Sequence, residues 1–558
     1  NHDRIRQAYY ELLPKESVSQ RHWMIGIICG EKANQYGDDP LPHILAALRG
    51  ELSPVMLCDD ATVEHIIDQF YAGALSAKEK TSNDIALQYL QCALHIADTM
   101  GIDEVESLGR MLLLQGELGY LTADIKLGGE SFHRYRLMNS DVRLQAASFS
   151  QQAPLAFMRG DIDGSVNCSL NCFHLLGVDT PSFDGDIDLP LIFQRKKFDS
   201  LGGVEVVSKL SIATCFNEKH TSLLQSTAAN MVLLLCTKAE YQWAEWFGLV
   251  GINDFLVSGF SPPSLTILAF FNSTLVSLDN YKFDNVIYEK TEFILKNSSV
   301  FENKGLLLGA LGAYSGRFSN NLSRCISMLN DGALISYKNG EYLGHIACTS
   351  HKIVVSFSAG VPLNEIYQLA KEHQAFLLSC GELVTAGKYY IRLIEQLINP
   401  LSTNLLRRER FTDRQWIVLS GSAAIGAYHH LRMQRNFWRN EYSCVIEQYK
   451  NEKEHIDRLR GMVSNDDNNF LYVISCLQMG INSGLLFEES MQDFEEIYRA
   501  YPPNFRHKWL LIQAEMCRLK HDVGATELYQ KAAVDAKENG FIHMYALIHE
   551  LHARYWQE

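Results

Sequence analysis

Apolar positions along this chain recur at helical intervals, and residues 141–181 show the pattern most plainly. Leu144, Ala147 and Phe149 start one helix, which continues past Pro154 through Leu155 and Met158. Residues 160–164, Gly-Asp-Ile-Asp-Gly, break it. Val166, Leu170, Phe173 and Leu176 then fall on one face of a second helix, which Gly177 and Pro181 stop. Such a pair cannot bury its apolar faces alone and needs neighbours of the same kind.

The same period predicts helices over residues 3–13, 18–29, 62–77, 82–100 and 105–120 before that hairpin. After it, helices are expected over 204–213, 223–238, 342–357, 363–378, 416–432, 442–459 and 470–479. The tail reads as three helices. Trp509, Ile512, Met516 and Leu519 mark the first; Tyr529, Ala532 and Ala536 the second; Phe541, Tyr545, Ile548 and Leu551 the third. Small residues on the middle helix let its partners sit close, in the tetratricopeptide manner. Residues 38–42 and the polar run 464–469, Ser-Asn-Asp-Asp-Asn-Asn, read as loops. The acidic stretch 182–190 and Asn399-Pro400 read as joints. Period-2 strand patterning is nearly absent. The fold class is therefore all-α: an α-α superhelix, a tetratricopeptide-like helical-repeat solenoid.

Gly305, Gly309, Gly312 and Gly316 are spaced four, three and four, one stripe on a helix. Each glycine inside a helix costs roughly 1 kcal/mol relative to alanine. A helix packed unusually close would offset that; the alternative is the floor of a groove for a ligand or peptide.

Composition narrows the function classes. The 558 residues carry a net charge of −15, which opposes nucleic acid and anionic membranes as partners. The 13 cysteines are scattered without a CxxC, as a reducing compartment tolerates, and a cytoplasmic location is expected. The longest apolar run, around 265–278, is too short to span a bilayer. Neither GxxxxGK[ST] nor GxSxG occurs. Cys168, Cys172 and His174 have the residue types of metal ligands but no second cluster to complete a tetrahedral site. Asp184, Asp186 and Asp188 lack the remainder of a calcium loop and read as a solvated turn. Arg407, Arg408, Arg410 and Arg414 beside Phe411 and Trp416 read as a solvated loop or a docking patch for an acidic partner. An enzyme on an α/α scaffold would need polar groups converging in a pocket, and no such set is legible. No catalytic, cofactor-binding or metal-binding residue is assigned.

Family resemblance enters through the ends of the chain. Residues 2–9, His-Asp-Arg-Ile-Arg-Gln-Ala-Tyr, with Leu12-Leu13-Pro14 and residues 21–26, resemble the end of the winged-helix part of a STAND-type ATPase. Phe70-Tyr71-Ala72-Gly73, Leu175-Leu176-Gly177-Val178-Asp179-Thr180-Pro181, Gly340-Glu341-Tyr342 and Gly360-Val361-Pro362-Leu363 resemble landmarks of the helical region that follows this ATPase in large hybrid sensor histidine kinases. So does the tail, residues 528–555. His549-Glu550 has the first two residues of a phospho-accepting histidine box but not its continuation, and reads as part of the last repeat.

The resemblance implies four segments. Residues 1–35 would end the winged helix, and 36–181, 182–400 and 401–558 would be N-terminal, central and C-terminal repeats, the last cut before a GAF domain. It implies a piece of a longer, most closely fungal, protein with a serine/threonine-kinase-like domain, the ATPase, GAF, histidine-kinase and receiver domains, acting in a stress-signalling (oxidative-stress) phosphorelay. ATP and magnesium would belong to the parent, and no cofactor to this stretch. Its partners would be proteins or a small signalling ligand on the concave face, the intramolecular ATPase and kinase domains, and a homodimer mate through the parent kinase. A stand-alone tetratricopeptide-like adaptor binding peptides is the other expectation.

Overall fold

The computed structural model describes residues 14–31, 41–48, 60–80, 82–102, 105–210, 222–278, 281–297, 303–339, 341–379, 386–398 and 413–557. Among these it is built of 27 α-helices and short connecting turns, with no strand. Sequentially adjacent helices pair throughout, an all-α helical-repeat fold. The chain divides into two compact units, residues 1–180 and 181–558.

The first unit holds α1 (Lys15–Glu31), α2 (Leu41–Leu48), α3 (Asp60–Glu79), α4 (Asn83–Met100), α5 (Val105–Leu121), α6 (Ile125–Met138), α7 (Val142–Met158) and α8 (Ile162–Leu175). Helix α7 runs through Pro154 as expected, and Gly160 turns the chain at φ 76°. Pattern reading missed α6, whose apolar face is thin. Its start is set by Asp124, which accepts a hydrogen bond from Leu127 N. Asp141 and Asp161 cap α7 and α8 in the same way, so polar residues fix the three consecutive starts. Phe70, Leu90, Ile96 and Leu112 lie in the core. The helix expected over 3–13 lies outside the described residues, as do residues 38–40 of the expected loop; Leu41 and Pro42 already belong to α2.

The second unit holds α9 (Asp188–Ser200), α10 (Gly203–Ser208), α11 (Leu223–Lys238), α12 (Tyr241–Ser258), α13 (Pro262–Ser277), α14 (Tyr281–Asn297), α15 (Lys304–Ala313), α16 (Leu322–Lys338), α17 (Tyr342–Ala359), α18 (Leu363–Ser379), α19 (Ala386–Ile398), α20 (Asp413–Trp438), α21 (Tyr442–Asn451), α22 (Lys453–Asp457), α23 (Val463–Gln478), α24 (Leu485–Ala500), α25 (Pro502–Leu519), α26 (Ala525–Glu538) and α27 (Ile542–Tyr555). The helix expected over 204–213 is short, and 211–213 lie outside the described residues. The single helix expected over 442–459 is two, α21 and α22. Asn399-Pro400 lies outside the described residues, as do Arg407, Arg408, Arg410 and Phe411; Arg414 and Trp416 are on α20.

In the second unit contacts between distant elements are added to the pairing of neighbours. Tyr241 Oη donates to Arg460 O at 2.9 Å, and Asn504 Nδ2 donates to Arg317 O at 2.7 Å, so elements far apart in sequence meet. One core runs from Val276 through Phe470 and Tyr529 to Leu551. A smaller one gathers Ile353, Ile366, Tyr390 and Ile394 from α17, α18 and α19.

The glycine stripe is a packing surface. A Cβ on Gly305 would stand 2.5 Å from Gly332 O of α16, and one on Gly309 would stand 2.5 Å from Cys348 Sγ of α17. Gly312 would meet Cys325 O at 3.1 Å. Neighbouring helices occupy the space a groove would need, which overturns the groove alternative. Gly316 lies beyond the helix end, in a 3-10 turn over Ser315–Phe318.

Candidate functional site

The run 464–469 corrects the sequence reading most sharply. It is the first part of helix α23, and Ser464, Asp466, Asp467, Asn468 and Asn469 are each at most 4% exposed. Successive residues on a helix are about 100° apart, so four in a row face every direction around its axis. Each therefore needs its own partner from a different element, since buried polar groups left unpaired are costly. Asp466 takes Arg317, from the turn after α15: Nε donates to Oδ2 at 2.6 Å and Nη2 to Oδ1 at 3.3 Å. Asp467 takes Lys508 of α25 at 2.5 Å and the Ser358 hydroxyl of α17 at 2.6 Å. Asn468 Oδ1 accepts from His430 Nδ1 of α20 at 2.8 Å. Asn469 Oδ1 accepts from the Tyr449 hydroxyl of α21 at 2.6 Å. Arg317 also donates to Gly461 O at 2.6 Å and to Tyr314 O, tying down the turn that precedes α23.

Burial pushes the Asp466 carboxyl above its ordinary pKa, against the pull of the Arg317 charge and hydrogen bonds. Burial pushes Asp467 the same way. There the Lys508 charge, with hydrogen bonds from Lys508 and Ser358, outweighs it and holds the carboxyl below the usual range. Polar groups do converge here, contrary to the sequence expectation. The carboxylates and amide oxygens are spent on their neighbours, while Asn468 Nδ2 and His430 Nε2 stay buried without a partner. The space beside them, between Asp467, Lys508, Ser358 and His543, is about 20 Å³, room for a water molecule and no more.

On the far side of Phe357, Trp438 and His543 the chain opens into a much larger cavity of about 730 Å³. Its apolar walls include Ile326 of α16, Phe357 of α17, Leu363 of α18, Leu397 of α19, Trp438 of α20 and Ile542 of α27. Two turns shape it. Gly360 at φ 78° ends α17, and Gly540 at φ 81° precedes α27. Gly360 is required twice over: by its left-handed backbone, and because a Cβ there would lie 2.1 Å from His543 Nδ1. The cavity sits at the seam of the two cores, since Ile326 and Trp438 pack on the larger and Leu363 and Leu397 on the smaller. Ligand pockets run to about 300–1,000 Å³. A second cavity, about 330 Å³, lies along α16, α17 and α18 and differs in carrying charge, with Lys352 and Glu372 in its walls.

His543 has its Nδ1 buried with no hydrogen-bond partner. Desolvation lowers its pKa to about 4, so the ring is neutral at pH 7. The Trp438 indole N–H is already donated to Gln434 at 2.9 Å.

The residues singled out for metal chemistry are not brought together. Cys168 and Cys172 are buried on α8, with burial pushing the Cys168 thiol up to about 11, while His174 is exposed. Asp186 accepts from Asp188 N at 2.9 Å at the start of α9. His549 and Glu550 are exposed on α27. Sequence reasoning missed Arg317, Lys508 and Glu515, all buried charges. One signal could have found the polar run. Residues 462–478 contain no glycine or proline, so the helix had no reason to begin as late as Phe470.

Compared with models of known protein families and with curated protein sequences, the chain matches none. No helix among the described residues is long and apolar enough to cross a membrane.

Proposed function

We propose that this chain is the non-catalytic helical-repeat region of a cytosolic hybrid sensor histidine kinase in a stress-signalling phosphorelay. In this reading the second unit senses and the flanking domains respond. The motif resemblance at both ends of the chain supports the family. One structural observation carries the sensing role: a cavity of ligand size bounded by two separate cores of one unit. Filling it favours one arrangement of the cores over another. A ligand shifts such an equilibrium by its differential affinity for the two arrangements, and couplings of about 1–3 kcal/mol are ordinary. Phosphate transfer belongs to the parent's other domains.

The test uses the full-length protein. Histidine autophosphorylation is followed before and after oxidative stress in the native protein and in Ala359→Phe, which fills the cavity. Basal phosphorylation should persist and the stress response should fall at least fivefold. An unchanged response would overturn the sensing role, and ATP hydrolysis by the 558-residue chain alone would overturn the non-catalytic one.

A further inference from the structure

We infer that the 730 Å³ cavity is the binding site of a neutral, largely apolar small molecule. The inference deepens the sensing role proposed above and rests on it for the ligand's effect on the kinase.

Charge decides the ligand class first. Among the described residues lining the cavity there is no Asp, Glu, Lys or Arg. An ionic ligand would give up its hydration with no counter-charge to replace it. The nearest buried charges, Lys508 and Asp467, are paired at 2.5 Å and line the small void on the other side of His543.

Shape decides next. A peptide helix needs an open groove contacted at every third or fourth residue along its length. Here the walls come from α16, α17, α18, α19, α20 and α27, with the Gly360 and Gly540 turns in the lining. A compact molecule fits that outline better than a rod.

Wall chemistry decides last. Trp438 presents an indole whose N–H is taken, and His543 Nδ1 is enclosed against the Gly360 turn. The rings of Phe357, Trp438 and His543 therefore offer apolar contact, which suits a ligand held by shape and by its lack of charge.

The experiment compares two fluorescent probes of one shape on the 558-residue chain. N-phenyl-1-naphthylamine is neutral; 8-anilino-1-naphthalenesulfonate adds a sulfonate. The neutral probe should bind one per chain, and the anionic one at least tenfold more weakly. Ala359→Phe should weaken the neutral probe tenfold or more with the melting temperature kept. Ile542→Arg, at a position 57% exposed and so tolerant of charge, should narrow or reverse the preference. Equal affinity for the two probes, or neutral-probe binding untouched by both Ala359→Phe and Ile542→Arg, would overturn the inference. The two readings fail separately. Specific probe binding with no change in kinase output would remove the sensing role and keep the site. A stress response abolished by Ala359→Phe in a chain that binds no neutral probe would remove the site and keep the role.

Discussion

At the scale of single residues, the tightest constraints are where a side chain has no room or no partner. Gly305 is one. Alanine there must push back Gly332 O, a backbone atom on the facing helix, and helix propensity favours alanine by only about 1 kcal/mol. Overpacking of this kind costs about 1–3 kcal/mol, so Gly305→Ala should lower the urea midpoint despite the better helix former. A midpoint that rises would show that α15 and α16 can separate freely. His507 is the opposite case. It is fully buried, both ring nitrogens lack hydrogen-bond partners, and the ring stacks on Phe541 with centroids 4.2 Å apart. Its pKa is held well below the ordinary value by desolvation. Phenylalanine keeps the stacking and removes two unsatisfied atoms. His507→Phe should therefore leave the melting temperature unchanged or raise it, where most buried substitutions lower it.

At the scale of elements, α23 organises the second unit by presenting four polar side chains to five neighbouring elements. Breaking one pair leaves a buried charge. Lys508→Met alone should cost about 3–5 kcal/mol, whereas Lys508→Met with Asp467→Leu should recover much of it. Equal losses in the single and double variants, measured by denaturant unfolding, would show that the pair itself carries stability. This helix also marks the limit of what the sequence discloses. Periodicity located most helices and much of the apolar face of the tail: Tyr529, Ala532, Ile548 and Leu551 are buried. It failed at residues 464–469 because polar residues are normally on the surface, and only a neighbour supplied from elsewhere in the chain makes their burial tolerable. Lys508 and Glu515 are of the same kind. Nothing local distinguishes a buried lysine from an exposed one when its partner, Asp467, is 41 residues away. The cavity was illegible for a related reason. Its walls come from helix ends whose convergence depends on the array folding back. Gly360-Val361-Pro362-Leu363 reads in the sequence as a helix stop and a family landmark, and the turn proves to be part of the cavity wall.

At the scale of the whole molecule, the second unit collects histidines whose burial has an acid-side consequence. Desolvation lowers the pKa of His351, His373 and His543 to about 4. In the folded unit they stay neutral to that pH, while in the unfolded chain they protonate below about 6.5. The unfolded state thus binds more protons across this window, so stability is complete above about pH 6.5 and is lost as pH falls towards 4. Each ring contributes on the order of 1–3 kcal/mol over the interval. Asp466, with its raised carboxyl pKa, acts in the opposite direction, since the folded state then takes up its proton first. Asp535, also raised, acts with it, but the lowered imidazoles, His430 and His507 among them, outnumber the two carboxyls, so the net effect is a loss. Thermal melts should shift down between pH 7 and pH 5, and His543→Phe should flatten that slope. A melting temperature constant over the interval would mean that these rings protonate in the folded state, which would require water to reach them. A neutral ligand in the cavity covers His543 and excludes that water. The same melts run with N-phenyl-1-naphthylamine should therefore show stabilisation by the probe weakening as the ring becomes charged near pH 4, linking occupancy of the seam to the protonation of its wall.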